Sequence, residues 1–60
     1  MKPNMDLRFY AKGHGVAIWQ IAQAQSIHEN TLLMRLRKEF SEEEKAAFRA
    51  IVDRLAQEGK

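Results

Sequence analysis

The run Ser41-Glu42-Glu43-Glu44 constrains this chain more than any other stretch, because it can hardly be anything but the start of a helix. A serine hydroxyl accepts from the amide three residues on, and a glutamate at that third position reaches back to the serine amide. Three acidic side chains in one first turn also suit the positive end of the helix dipole. Behind this cap Phe48, Ile51, Val52 and Leu55 recur at i, i+3, i+4 and i+7, and Gly59 closes the segment. The resulting apolar stripe needs a partner. In sixty residues without a cysteine, neither a disulfide nor a thiolate metal site can help to supply one.

Three more helical stretches provide it. Residues 5–12 follow Pro3 and a candidate N-cap at Asn4, with Leu7 and Ala11 four apart and Tyr10 beside them. Gly13 and Gly15 break that helix, and either can take the left-handed C-cap conformation. Residues 16–24 carry Ile18, Ile21 and Ala22 at helical spacing, with Trp19 expected partly in the core and its indole edge near the surface. After a turn at Gln25-Ser26-Ile27, a third helix is expected from residue 29 to about 39. Leu32, Leu36 and Phe40 mark its buried face. No alternating apolar and polar run competes, and no internal repeat is present. The chain is thus expected to be one all-α domain, a bundle of four or five helices with modest stability.

The composition, 45% hydrophobic and 30% charged, is that of a globular domain. No stretch is apolar and long enough to span a membrane, and the N-terminus does not read as a signal peptide, so a cytoplasmic protein is the simplest expectation. The net charge of +2 is unevenly spread. Residues 1–38 hold six basic against two acidic side chains, and residues 39–60 four against six. A basic front half suits a polyanionic partner.

Two short helices joined by a tight turn, the second followed by Arg35, Arg37 and Lys38, form a helix-turn-helix over about residues 16–40. Small Ala22 lets the helices approach, Ile27 plugs their angle, and Leu32 packs the second back onto the first. The run Trp19-Gln20-Ile21-Ala22, then Ile27, Glu29-Asn30-Thr31-Leu32 and Arg35-Leu36-Arg37-Lys38, resembles the phage-repressor or Cro-like helix-turn-helix domains over most of the chain. The resemblance implies a transcriptional regulator that binds double-stranded operator DNA as a homodimer. In that arrangement the third helix lies in the major groove and amides at the start of the second meet phosphate. It also implies base-facing positions at His28, Glu29, Asn30, Leu33, Met34 and Arg37.

Four residues depart from the family pattern. Ser26 stands where glycine is usual, and a positive φ there costs it about 1 kcal/mol. His28 replaces the usual serine or threonine cap. Leu33 and Met34 occupy positions where polar readers are common; they suit thymine methyls or, equally, a partner protein. That second option makes the domain a protein-interaction module, an antirepressor or an assembly subunit. Asn30 can pair with adenine or simply face solvent, and Glu29 is explained most cheaply by the helix dipole. Arg35, Arg37 and Lys38 are expected on phosphates or bases. His14 and His28 lack companions at ligand spacing, so no metal is expected, and no cofactor. No nucleophile, acid–base pair or glycine-rich phosphate loop points to an enzyme.

Overall fold

The computed structural model describes residues 2–59, which form four helices and no strand: α1 Met5–Gly13, α2 Ile18–Ala24, α3 Glu29–Arg35 and α4 Glu42–Glu58. The expected stripes meet in one core. Leu7 and Ala11 of α1, Ile21 and Ala22 of α2, Leu32 of α3 with Leu36 just after it, and Phe48 and Val52 of α4 are buried together with Val16. Ile51 and Leu55 pack half-buried against them. α1 packs on α4, and α2 packs on both α3 and α4. The Ser41 box forms in both directions, with Ser41 Oγ accepting from the Glu44 amide at 3.2 Å and Glu44 Oε1 from the Ser41 amide at 3.0 Å.

The links α1→α2 and α2→α3 have the same construction, eleven residues apart. At the end of α1 the Val16 amide donates to Ala11 O at 2.9 Å and the Gly15 amide to Lys12 O at 3.0 Å. At the end of α2 the Ile27 amide donates to Ala22 O and the Ser26 amide to Gln23 O, both at 3.0 Å. Each is a Schellman closure. The residue in its left-handed position is Gly15 (φ 72) in the first and Ser26 (φ 59) in the second. Val16 and Ile27 then turn inward as plugs, and Ala17 and His28 take extended backbone before the next helix begins.

This construction corrects one expected boundary. α2 begins at Ile18, not at 16, because Val16 is spent on the closure of α1 and Ala17 has φ −86 and ψ 155. Ala17 has no side-chain acceptor of its own, and its amide is taken by Gln20 Oε1 at 2.8 Å.

The third link differs, and with it the expected end of the third helix. α3 stops at Arg35, not near 39. Leu36 still donates to Leu32 O, but Arg37 and Lys38 donate only three residues back, to Met34 O and Arg35 O at 3.2 and 3.3 Å. The reason is Asn4. In a continuing helix the Phe40 amide would bond to Leu36 O. Instead Asn4 Nδ2 donates to Leu36 O at 2.9 Å and to Lys38 O at 2.8 Å, while the Phe40 amide donates to Asn4 Oδ1 at 2.8 Å. One carboxamide thus replaces a helical turn. Phe40, off the helix, packs edge-on against Phe48 with ring centroids 6.4 Å apart.

Asn4 occupies the N-cap position of α1 as expected, but its side chain makes no cap bond. It is 1% exposed and left-handed (φ 61), a conformation that asparagine tolerates better than most residues. The Asn4 amide donates to Glu39 Oε1 at 2.9 Å, and Glu39 in turn pairs with Lys45. Lys45 also holds Asp6 at 3.0 Å. Start of α1, α3–α4 link and first turn of α4 are therefore tied at one place.

Candidate nucleic-acid interface

α3 is short and gives the core one residue, Leu32, with Leu36 just beyond its end. At about 100° per residue, Met34 points opposite Leu32, with Asn30 about 40° and Thr31 about 60° away from it. All three are exposed, Met34 by 67%. These side chains form the outward face of the helix. Glu29 lies about 140° around from Met34, on the side of the Leu32 stripe, although it too is exposed. Its place in the first turn of α3 suits the dipole, and the outward face does without it.

The expected site residues therefore separate into groups. Asn30 and Met34 share the outward face. Leu33 and Arg35 flank it on opposite sides, Leu33 half-buried. Arg35 borders a surface hollow with Phe40 and Glu44, and its charge helps to hold the Glu44 carboxyl below its ordinary range, after the larger effect of the Ser41 hydrogen bonds. Arg37 and Lys38 lie beyond the helix in the turn that Asn4 fixes, both exposed and neither in an ion pair among the described residues. The sequence reading placed them on the third helix; the structure puts them on a rigid turn after it. The next residue, Glu39, stays ionised, because Lys45 holds its carboxyl low, and the paired Lys45 cation offsets its charge beside them.

The front end of α3 rests on His28. Its Nδ1 accepts from the Asn30 amide at 3.1 Å, which requires a lone pair on that nitrogen and leaves the proton on Nε2. The cap is formed although histidine replaces the usual serine or threonine. Ser26 does take a positive φ and so meets the condition for that cost. Trp19 is 55% exposed, further out than expected, and borders a groove with Gln23, Arg54 and Leu55.

Thr31 and Asn4 are the residues that the sequence reading missed. Thr31 was findable: helical geometry alone sets it beside Met34. Asn4 was not, since its partners lie 32 to 36 residues away.

No group of three metal-ligating side chains occurs among the described residues, and none of their helices is long and apolar enough to cross a membrane. Comparison with protein-family models, with curated proteins and with solved structures found no match to this chain.

Proposed function

We propose that this chain is a sequence-specific double-stranded DNA-binding domain, a transcriptional regulator of the phage-repressor or Cro-like kind carried by phages and mobile elements and acting in the cytoplasm. The observation that carries this reading is the outward face of α3. The fold spends only Leu32 and Leu36 of this region on its core and leaves Asn30, Thr31 and Met34 exposed, with two cations on a fixed turn at the helix end, neither in an ion pair among the described residues. A helix about 10–12 Å wide with such a face matches a major groove about 12 Å wide. Arg37 and Lys38 would meet phosphates on one wall of the groove, and Asn30, Thr31 and Met34 the base edges. One helix of this length buries little surface, so tight binding calls for a homodimer on two half-sites about 34–36 Å apart.

The test is a titration of fluorescent duplex DNA at several salt concentrations. Affinity should fall steeply with salt, and Arg37→Ala and Lys38→Ala should each lower the slope of log affinity against log salt by about one unit. Binding that ignores salt and both substitutions would refute the reading.

The exposure of Met34 favours one other reading, a protein-interaction module that docks a partner on Met34 and Leu33. Contiguous apolar patches, rather than single exposed side chains, mark protein surfaces that are covered in use. A partner held there would bind with little salt dependence, and Met34→Ala would release it.

A further inference from the structure

Resting on the proposal that α3 reads DNA, we infer that the base pairs it reads are A·T pairs, with an adenine opposite Asn30 and thymine methyl groups against Met34 and Thr31.

The inference comes from what the outward face contains and lacks. Met34, the side chain opposite the buried Leu32, is a thioether with no hydrogen-bond donor and only a weak acceptor. Facing base edges, such a group leaves guanine O6 and N7 or a cytosine amine unpaired, which is unfavourable in a desolvated contact. The one apolar group that any base shows in the major groove is the thymine C5-methyl, and Met34 can cover it without stranding a polar atom. Thr31, about 60° around the helix, offers a methyl and a hydroxyl to the neighbouring pair. The hydroxyl can serve either base, and the methyl favours thymine.

Asn30 completes the face. Its backbone amide is held by His28 Nδ1, which fixes the position of its Cα, while its carboxamide has no hydrogen-bond partner among the described residues. A carboxamide donates and accepts side by side, the arrangement that matches adenine N6 and N7. Of the groups that read guanine best, arginine and lysine, only Arg35 borders this face, at its edge about 40° beyond Thr31. Arg35 sits about 100° away from Met34 toward Glu44, and Arg37 and Lys38 lie on the turn after the helix, placed for phosphate.

The experiment uses the full chain and a pool of duplexes in which a central segment of one helical turn is randomised. The bound fraction is recovered at low salt and sequenced. Enriched duplexes should carry an adenine with adjoining thymines. In the best of them, replacing thymine by deoxyuridine, which lacks only the methyl, should weaken binding about fourfold per contacted methyl. Met34→Ala should erase that difference at the thymine Met34 covers and keep it at the one beside Thr31, and circular dichroism will show that this exposed substitution leaves the helices intact. Asn30→Ala should lose about five- to a hundred-fold on the selected duplex and far less on unselected DNA. Enrichment of G·C cores, or a deoxyuridine duplex bound as well as the thymine one, overturns the A·T inference and leaves DNA binding standing. Failure to retain any duplex overturns both.

Discussion

The links after α1 and α2 use the same hydrogen bonds, the same inward β-branched plug and the same extended residue before the next helix, yet one turns on Gly15 and the other on Ser26. A glycine enters the left-handed region freely, whereas a residue with a Cβ does so at a cost of about 1–2 kcal/mol. The strained copy belongs to the helix-turn-helix and the relaxed copy does not. The link after α3 abandons the pattern, closing on the side chain of Asn4 where the others close on backbone alone. The bundle thus keeps its relaxed junction between α1 and α2. It accepts a weaker one in front of α3 and fixes the far end of α3 from outside. On the proposed function, stability and display are divided between different parts of the chain.

Removing the outside support should have the largest effect. Asn4→Ala leaves two carbonyls and the Phe40 amide without partners and should destabilise the domain by about 2–4 kcal/mol. In a domain of this size that lowers Tm by roughly 10 °C or more. A thermal melt close to wild type would show that the 36–40 turn holds without Asn4. Asn4→Gly sharpens the point: it relieves the positive φ but loses the same three bonds, so it too should destabilise.

The two Schellman turns should respond in opposite directions. Gly15→Ala puts a Cβ into open space, with no atom within 4 Å, so only the backbone strain remains, about 1–2 kcal/mol. Ser26→Gly should raise stability by about 1 kcal/mol, since it brings the second turn to the condition of the first. Chemical denaturation of both variants checks the pair, and equal signs would mean that the turns are not equivalent.

The smallest effect is electrostatic. Lys45 is the main reason that the Asp6 and Glu39 carboxyls lie below their ordinary values. Groups whose folded values are depressed add stability above the ordinary carboxylate range and lose it as pH falls through the folded values. Tm should therefore drop as pH is lowered from about 5 toward 3. In Lys45→Met the drop should be shallower, though not absent, because Glu44 is held low by the Ser41 cap. All these groups are solvent-exposed at least in part, so salt should weaken the effect. Identical acid profiles for the two proteins would remove Lys45 from the account.

What the sequence made legible was local. The Ser41 box, the stripes ending in Phe48 and Val52, and the awkward placement of Ser26 depend on residues within one or two turns of each other, and each is found as expected. The end of α3 was illegible for the opposite reason. Residues 36–39 are good helix formers, and only a side chain at position 4 diverts their hydrogen bonds. The same diversion moved Arg37 and Lys38 off the helix, so two of the three basic residues expected there lie on a turn. Asn4 itself looked like an ordinary cap because its local sequence is that of one.

The most direct test of the display half of this account is an amide chemical-shift titration of the labelled chain with short duplex DNA at low salt. Shifts should concentrate in residues 28–38, spare the C-terminal half of α4, and fade as salt is raised. Shifts centred instead on the groove between Trp19 and Arg54, or no saturable shifts with any duplex, would contradict the claim that α3 is the surface this fold was built to present.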